Sequence, residues 1–424
     1  MIYYDVASLQ EARRRTLELV AALNDEQMIG PRLDIVNPLR WEIGHVAWFQ
    51  EYWLLRHLSG RKPILSNGDT LYDSAKVAHD TRWDLPLPTT AETIAYMTKV
   101  LDDISRYFGP AQRRNADEAY FLSLALFHED MHGEAITYTR QTLGRSAPKL
   151  TKSAGIEPAP CQDIEGDAIV PGGLFTLGNT SRNGFVFDNE QQPFEVAVQS
   201  FKISRTATTN GEFVQFVEDS GYERRELWSD EGWRWRETAG ANHPVYWSFE
   251  NGAWWRRNFD HLVRLEETHP VLHVNWYEAE AYCRWAGRRL PTETEWERAA
   301  SSEPGSNRKR RFPWGDDVPT GAHANLDSNS LGTVDVRALA AGDSAFGCRQ
   351  MIGNVWEWTA SDFTPYPGFV AGPYKEYSEP WFGNHKVLRG GCWATRSRLI
   401  SNTYRNFYPP DRRDVWAGFR TCAR

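Results

Sequence analysis

The sequence predicts a two-domain protein of the α + (α+β) class, in which a four-helix bundle precedes a domain rich in irregular structure. Apolar residues recur at helical spacing through residues 1–145. Beyond residue 166 the chain is rich in Gly, Trp and Pro, and only short segments resemble strands. A length of 424 residues also favours more than one core. We therefore expect a helical bundle at 1–145, a linker at 146–166 and a second domain at 167–424.

Residues that begin or end helices place the elements of both domains. In the first domain, Ser8 is a suitable cap, Pro38 suits a first-turn position, and Gly144 suits the position just after a helix. The four expected helices cover about 8–23, 38–57, 90–108 and 117–143. In the second domain we expect helices at 210–220 and 276–286, and strands at 194–198 and 386–388.

Composition and charge exclude several kinds of partner. The net charge is −8, and the basic run Arg308–Arg311 is too short for a nucleic-acid or membrane patch. No apolar run approaches a membrane span, and the start lacks the pattern of a secretory signal. The five cysteines are scattered and form no CxxC pair. We therefore expect a cytoplasmic protein with no nucleic-acid or membrane partner.

Three histidines predict a metal site in the bundle. His128 and His132 are four residues apart on one expected helix, so both imidazoles leave the same face. His45 lies on the second helix, where Trp41 and Trp48 mark the face that should point inward. Three neutral imidazoles from facing helices can bind a divalent cation and leave coordination positions open. The alternative is a set of hydrogen-bonded core histidines, and the pattern alone does not distinguish zinc from iron.

The same residues contain the short motif of zinc metalloproteases. His128–His132 reads H-E-D-M-H and matches H-E-x-x-H, in which Glu129 would be the general base. The extended motif fails, because Ala135 and Tyr138 occupy the places of its Gly and third His. Besides a metal-dependent enzyme of another kind, a zinc hydrolase is therefore one possible class of function, and a ligand-binding module with structural histidines is another.

Several strings of the second domain carry a resemblance to a known family. They are Val274–Ala279, Gly287–Glu297, Gly353–Thr359, Leu388–Gly391 and Gly418–Arg420. Together they resemble the formylglycine-generating-enzyme-like domain, which has a C-type-lectin-like fold, and the resemblance implies that most of these residues are scaffold. The oxidase after which that domain is named uses a cysteine pair near its C-terminus. The matching stretch here contains only Cys422, so that oxidase activity is not expected.

The helical domain with His45, His128 and His132, followed by this second domain, resembles the ergothioneine-type sulfoxide synthases, whose N-terminal domain is DinB-like. The resemblance covers nearly the whole chain. It implies a mononuclear non-haem Fe(II) held by the three histidines and O2 as co-substrate. It also implies hercynine (trimethylhistidine) as one substrate, with a new bond formed at C2 of its imidazole.

The resemblance also places the substrate-binding positions. Those that contact hercynine in the family correspond to Glu134, Tyr366, Asn406 and Phe407. An amide and an aromatic ring suit the carboxylate and the trimethylammonium group of that substrate. The positions of the chalcogen-donor site correspond to His79, Arg82, Tyr408 and Arg412.

Three positions depart from the family pattern. The catalytic tyrosine is Phe363 here, an aspartate is Tyr408, and one of two donor-site arginines is His79. Fewer charged contacts give a poorer complement to a zwitterionic dipeptide, so the departures imply a less charged donor. Because Phe363 cannot donate a proton, Tyr72 or Tyr408 is the expected acid.

Two segments are similar to the selenoneine synthase branch of this family, namely Leu71–Trp83 and Phe127–His132. The enzymes of that branch join hercynine to selenium delivered on a sugar. We therefore expect a selenosugar as the donor and selenoneine synthesis as the function. The alternative is an ergothioneine-type sulfoxide synthase that uses a thiol, either cysteine or γ-glutamylcysteine.

Overall fold

The computed structural model describes residues 4–109, 114–151, 161, 163–181 and 184–424. The chain divides into two compact units. The N-terminal unit comprises Met1–Thr151 with Ser181–Phe185, and the C-terminal unit comprises Lys152–Thr180 and Val186–Arg424. A helical first part and a sheet-containing second part are confirmed. Within the predicted linker, 152–160 and 162 lie outside the described residues.

The N-terminal unit is helical. Its α-helices are α1 Val6–Val20, α2 Asp25–Ile29, α3 Leu39–Gln50, α4 Gly68–Tyr72, α5 Thr90–Phe108 and α6 Ala116–Thr142. A π-helix over Glu51–His57 continues α3, and a 3₁₀ turn covers His79–Thr81. The prediction of Ser8 as the first cap is wrong. Asp5 caps α1 instead, because its carboxylate accepts a hydrogen bond from the Ser8 amide at 3.0 Å.

Helix α3 occupies the interior of this unit. It contacts α5 and α6, and α1 contacts the same two helices. Every residue of α3 except Arg40 is buried, which fits a helix that is apolar on nearly all sides. The four long helices were predicted; the π-helix and the two short helices were not. Among the described residues, no helix is both long and apolar enough to cross a membrane.

The C-terminal unit mixes short helices and strands. Its helices are α7 Asn210–Glu218, α8 Asp230–Ala239, α9 Trp276–Trp285 and α10 Glu293–Ser301. Its strands are β1 Asp167–Val170, β2 Gly173–Leu177, β3 Phe194–Val198, β4 Phe201–Ser204, β5 Trp247–Glu250, β6 Ala253–Asn258, β7 His261–Arg264, β8 Arg288–Arg289, β9 Ser302–Glu303, β10 Ser306–Lys309, β11 Trp356–Asp362, β12 Lys386–Arg389, β13 Asn406–Tyr408, β14 Ala417–Gly418 and β15 Cys422–Ala423. Helix α8 escaped prediction because it buries only Gly232 and so lacks an apolar stripe.

The strands form several small sheets. The strand orders are β1-β4-β15-β8, β13-β12-β11-β14 and β5-β6-β7, with the separate pairs β2-β3 and β9-β10. Strand β11 pairs in parallel with β14 and antiparallel with β12. Strand β13 is an edge strand that pairs with β12, with Val387 opposite Phe407. Three of the predicted site residues therefore lie on one sheet edge: Asn406, Phe407 and Tyr408.

Buried ion pairs connect the strings that carried the family resemblance. Arg389 pairs with Glu297, and neither side chain is exposed. Arg420 donates to both oxygens of Glu357, at 2.6 and 2.8 Å, and Trp296 Nε1 donates to the same carboxylate at 2.7 Å. A planar guanidinium suits a buried carboxylate because its N–H groups match both oxygens. These motif residues act as scaffold, as expected.

Glu190 lies in the same buried region and makes a pH-dependent contribution to stability. Thr403 donates to its carboxylate at 2.8 Å, and burial raises its pKa to about 7. Between about pH 4.5 and pH 7 the folded state keeps a proton that the unfolded chain has lost, so this contribution falls as the pH rises. Glu190→Gln should lack this contribution, so its unfolding free energy should fall between pH 5 and pH 8 by about 2.5 kcal/mol less than that of the unmodified protein.

Urea denaturation followed by tryptophan fluorescence at the two pH values measures this difference. Glu195→Gln is the control, because Glu195 is exposed on β3. The control should show the pH dependence of the unmodified protein. If Glu190→Gln also shows it, the raised pKa of Glu190 is wrong.

Candidate metal centre

Three imidazoles converge inside the N-terminal unit. His45 lies in the middle of α3, and His128 and His132 lie one turn apart on α6, which contacts α3. One ligand atom from each histidine lies within 4.8 Å of the other two. His45 and His128 are each 2% exposed, whereas His132 is partly exposed. The structure thus brings together the residues that spacing singled out, while their binding of iron stays a prediction.

Hydrogen bonding orients His45. Its Nδ1 lies 2.7 Å from the carbonyl oxygen of Tyr72, at the end of α4. A carbonyl oxygen only accepts, so Nδ1 carries the proton and Nε2 keeps a lone pair for a metal. The Trp41 ring stacks on the imidazole with 4.8 Å between centroids and 8° between planes. Contacts of this kind hold a ligand in its binding orientation.

A buried carboxylate orients His132. Glu42 Oε1 lies 2.6 Å from His132 Nδ1, and the Asn37 amide donates to Glu42 Oε2 at 2.8 Å. Burial raises the pKa of the Glu42 carboxyl, but the charge and hydrogen bond of His132, with the Asn37 bond, outweigh it and keep that pKa below its ordinary value. The ionised carboxylate accepts a hydrogen bond from Nδ1, which leaves His132 Nε2 as the candidate ligand atom.

Burial keeps the other two imidazoles neutral. Removal from water lowers the pKa of His45 and of His128 well below the ordinary value, and a positive charge on His132 would lower both further. His128 also stacks face to face on Phe49, with 3.6 Å between ring centroids. Because metals bind the neutral imidazole, neither ring has to lose a proton before binding at neutral pH.

The donor set fits an iron(II) ion. His128 Nε2 and His132 Nε2 lie 3.2 Å apart. Two ligands about 2.1 Å from one metal, at right angles to each other, are separated by about 3 Å, so this spacing is that of neighbouring ligands on one ion. Three imidazoles leave coordination positions open for substrates. Imidazole also suits zinc, so the donor set alone does not choose between the two metals.

The carboxylate of Glu129 is bound to other groups. It accepts hydrogen bonds from Arg13 Nε at 2.8 Å, from Gln50 Nε2 at 2.6 Å and from Thr16 Oγ1 at 2.8 Å. Its residue is only 1% exposed. A general base needs a lone pair within reach of the water that it activates. The donors around Glu129 occupy that capacity, so the geometry does not support a zinc hydrolase.

The predicted donor-site residues of this unit have protein partners. His79 Nε2 lies 2.7 Å from the Val36 carbonyl oxygen, to which it donates. Arg82 is 9% exposed and donates to Asn37 Oδ1 at 2.6 Å. Both side chains therefore donate hydrogen bonds to other groups of the N-terminal unit.

Tyr72 and Glu134 are also buried. Tyr72 is fully buried, and burial raises its pKa to about 12, so it keeps its proton at neutral pH. Glu134 is 8% exposed and follows His132 by two positions on α6. Their roles as acid and as hercynine contact stay predictions.

In the C-terminal unit, an aromatic stack contains two of the predicted residues. Phe363 stacks on Phe407 with 3.9 Å between centroids and 11° between planes. Asn406 and Tyr408 flank Phe407 on edge strand β13. The Asn406 side-chain oxygen accepts a hydrogen bond from the Phe407 amide at 2.9 Å, so its NH2 group keeps its donors.

Tyr366 and Arg412 are held within the same unit. Tyr366 belongs to the apolar core, and its hydroxyl donates to Glu293 at 3.2 Å. Arg412 pairs with both oxygens of Asp414, at 2.6 and 2.7 Å, and lies 5.2 Å from the Tyr408 ring. Contact of these residues with a substrate stays a prediction.

Sequence reasoning missed Glu42 and Asn37, which orient His132. For Glu42 a signal existed, because it is an acidic residue in a largely apolar helix, three positions before His45. A glutamate buried in such a helix requires a partner, and a histidine on the facing helix can be one. Asn37 carried no comparable signal, because it precedes the helix next to Pro38.

Tyr72 packs so closely against α3 that residue 44 has to be glycine. A Cβ at Gly44 would lie 2.4 Å from two carbons of the Tyr72 ring. Gly44→Ala should displace this ring and the carbonyl that holds His45. We expect a loss of about 1–3 kcal/mol in the free energy of unfolding and an Fe(II) affinity about tenfold lower. Chemical denaturation and anaerobic metal titration measure the two quantities.

Gly133, directly after His132 on α6, provides the matched control. A Cβ there would meet only Leu19, at 3.6 Å, which is an ordinary contact. Gly133→Ala should keep the iron affinity and add up to about 1 kcal/mol of stability from helix propensity. The same response in both variants would contradict the packing role of Tyr72.

Two family models match the chain. The DinB superfamily matches residues 8–136, and the sulfatase-modifying factor enzyme 1-like domain matches residues 152–424. The chain is 36% identical to the hercynine oxygenase of Mycolicibacterium smegmatis over 422 residues, which cover 96% of each chain. It is also 36% identical to the hercynine oxygenase of Mycobacterium tuberculosis, over 97% of this chain and 96% of that one. Identity to the formylglycine-generating enzyme of Streptomyces coelicolor is 32% and covers 64% of this chain.

These matches define an oxidoreductase that joins a DinB-like unit to a formylglycine-generating-enzyme-like unit. The chain belongs to the hercynine oxygenase family, the ergothioneine-type sulfoxide synthases. The family predicted from the sequence motifs is thereby confirmed. Its selenoneine synthase branch is a finer assignment, which the similarities leave open.

Proposed function

We propose that this protein joins hercynine to a chalcogen donor in a reaction that requires Fe(II) and O2. The convergence of His45, His128 and His132 is the observation that carries this proposal. Hercynine is supported as a substrate by the relatives, which are hercynine oxygenases 36% identical over nearly the full chain. When bound, iron supplies the redox chemistry by which O2 drives bond formation at C2 of the imidazole.

The chain's own residues prepare the three ligands. The Tyr72 carbonyl and the Glu42 carboxylate each hold an Nδ1 proton, so the Nε2 atoms of His45 and His132 keep their lone pairs. Burial keeps His45 and His128 uncharged. His45 and His128 can therefore bind a cation without first losing a proton. The hydrogen bonds to Tyr72 and Glu42 also hold the rings of His45 and His132 in their orientations.

Hercynine is assigned to the positions that the family uses. Phe407 stacks on Phe363 with one face of its ring, and we assign the opposite face to the trimethylammonium group, which aromatic faces attract. Asn406 suits the carboxylate, because its oxygen is already bonded to the Phe407 amide and its NH2 group can donate. Glu134 and Tyr366 are assigned to the same substrate by correspondence with the family.

A selenosugar is the proposed donor, because the donor-site side chains offer little charge for a dipeptide. Arg82 and His79 are bonded within the N-terminal unit, and Arg412 is paired with Asp414. Tyr408 replaces an acidic residue of the family. A neutral sugar needs none of these charges, whereas a zwitterionic dipeptide needs a partner for each charged end. Thiols remain the alternative donors, since the relatives are hercynine oxygenases.

The proton donor and the location complete the proposal. Phe363 has no hydroxyl, so the acid is assigned to Tyr72 or Tyr408. Tyr408 adjoins Phe407 on β13, and the carbonyl of Tyr72 orients His45. A reducing cytosol is supported by the cysteines, all of which are free thiols.

The test is a competition between donors. The full-length protein is reconstituted with Fe(II) without oxygen, given hercynine with equal concentrations of a selenosugar, cysteine and γ-glutamylcysteine, and then exposed to O2. Mass spectrometry of the product should show selenium attached to hercynine as the main product. A sulfur product in excess would overturn the donor assignment, and no product from any donor would overturn the function.

A variant with two substitutions that restore charges used in the family tests whether their absence sets the choice of donor. The double variant His79→Arg, Tyr408→Asp should raise turnover of γ-glutamylcysteine relative to the selenosugar. The new arginine can pair with a carboxylate of the dipeptide, and the new aspartate can pair with its ammonium group. The ratio of the two products measures the shift. An unchanged ratio would contradict the role given to the missing charges.

A further inference from the structure

Arg82 contacts the supports of two metal ligands at once. It is a largely buried residue, 9% exposed, just after the 3₁₀ turn at His79–Thr81. Its guanidinium donates to Asn37 and to the Val77 carbonyl, and it lies 3.8 Å from the centre of the Trp41 ring. Asn37 bonds to Glu42, which orients His132, and Trp41 stacks on His45.

The first connection is a chain of hydrogen bonds. Arg82 Nη1 donates to Asn37 Oδ1 at 2.6 Å, and Asn37 Nδ2 donates to Glu42 Oε2 at 2.8 Å. The other oxygen of Glu42 lies 2.6 Å from His132 Nδ1. The amide of Asn37 has one acceptor and one donor group here, and the guanidinium fixes which of them faces Glu42. Arg82 thereby sets the direction of a bond that aligns His132.

The second connection is a stack of flat groups. The guanidinium covers the Trp41 ring, and this ring stacks on His45 at 4.8 Å with planes only 8° apart. Trp41 Nε1 donates to the Leu71 carbonyl oxygen at 2.7 Å, and His45 Nδ1 bonds to the next carbonyl, that of Tyr72. The two rings of α3 are therefore anchored side by side at the end of α4.

We propose that Arg82 is a positioning residue for the metal centre, which aligns His132 through Asn37 and Glu42 and His45 through Trp41. The inference rests on the proposed function only in assigning a metal to the three histidines. A planar group with several fixed donors is required, because it must stack on a ring and direct hydrogen bonds at the same time. A lysine ammonium group is not planar and does not hold several N–H donors in a fixed arrangement.

Metal affinity tests this role without relying on turnover. Full-length variants are titrated with Fe(II) without oxygen, and with Co(II) as a spectroscopic probe, and their melting temperatures are recorded. Arg82→Met should lower both affinities about 10- to 100-fold, as the loss of a group that supports a ligand does. It should also shift the Co(II) absorption bands. Arg82→Lys should not restore either property.

A double-variant comparison separates the hydrogen-bonded connection from a general loss of stability. Asn37→Leu breaks that connection and leaves the stack on Trp41. If Arg82 acts on His132 through Asn37, adding Asn37→Leu to Arg82→Met should weaken binding by less than Asn37→Leu does alone. Arg32→Met is the control, because Arg32 also lies over a tryptophan, 5.9 Å from the Trp83 ring, and pairs with Asp84. This control should bind metal as the unmodified protein does.

Unchanged affinity and unchanged Co(II) bands in Arg82→Met and Arg82→Lys would overturn the inference. So would fully additive losses in the double variant together with an equal loss in Arg32→Met. If the unmodified protein itself binds neither Fe(II) nor Co(II), the proposed function fails instead. If Arg82→Met does not fold, Asn37→Leu alone tests the hydrogen-bonded connection, because it keeps the arginine and its stack on Trp41. Unchanged metal affinity in Asn37→Leu would then overturn the inference.

Discussion

Replacing His132 with alanine should lower the affinity for Fe(II) at least about a hundredfold and abolish product formation. Metal sites in small proteins release on the order of 10 kcal/mol on binding, shared among three or four ligands, so each ligand contributes about 3 kcal/mol. A loss of that size corresponds to a factor of 100 or more, on the scale of about 1.4 kcal/mol per tenfold change. Anaerobic titration against a competing chelator measures the affinity, and turnover with hercynine measures the reaction.

His57→Ala is the matched control for this variant. His57 is exposed on the π-helix and contacts the rings of Trp53 and Phe121. The His57→Ala variant should bind iron as the unmodified protein does. Because His132→Ala leaves Glu42 buried without its imidazole, the double variant with Glu42→Gln should fold better and still fail to bind iron. Iron binding at full affinity in His132→Ala would refute the ligand assignment.

Replacing Arg420 with methionine should lower the unfolding free energy of the C-terminal unit by about 3–5 kcal/mol. The guanidinium is fully buried and donates to both oxygens of Glu357 at 2.6 and 2.8 Å. Removing it leaves a carboxylate in the interior to which, among the described residues, the Trp296 indole is the remaining donor. Urea denaturation followed by tryptophan fluorescence measures the loss.

Two further variants show that the loss comes from an unpaired buried charge. Arg308→Met breaks an ion pair of similar length with Asp316, but both of its side chains are more than half exposed, so it should change stability little. Adding Glu357→Gln to Arg420→Met removes the unpaired charge and should recover part of the stability. A loss in Arg420→Met no larger than in Arg308→Met would contradict the scaffold role of this pair.

Local pattern predicted the long helices of the N-terminal unit because their signals are local. Helix α5 has the predicted bounds, Thr90–Phe108, and α6 differs from the prediction by one residue at each end. The π-helix at Glu51–His57 was not predicted, because the apolar pattern runs on from α3 without a change in composition. The arrangement of these helices as a four-helix bundle stays a prediction.

The candidate site was predictable only in part, for a related reason. Two of its histidines are four residues apart on one helix, and that spacing alone brings them to one face. The groups that orient them come from distant parts of the chain: Glu42 lies 90 residues from His132, and Tyr72 lies 27 residues from His45. Hydrophobic periodicity in the sequence does not predict contacts between residues so far apart. A glutamate inside an apolar helix is the nearest thing to a signal.

The C-terminal unit shows the same limit more strongly. Its short strands are held by pairs such as Arg389 with Glu297, which are 92 residues apart. Propensity and spacing located only four of its elements, while motif strings showed which residues form the scaffold. A contact between an arginine and a glutamate at that separation depends on the folded chain, so only resemblance to a family could anticipate it.

The most direct test of an iron-dependent hercynine enzyme is O2 uptake by the full-length protein after loading with Fe(II). We expect uptake, together with a hercynine-derived product, only when Fe(II), hercynine and a chalcogen donor are all present. His132→Ala should show neither. A protein that holds Fe(II) at this centre and consumes no O2 with hercynine and any donor would contradict the account, as would hydrolytic turnover by the zinc-loaded protein.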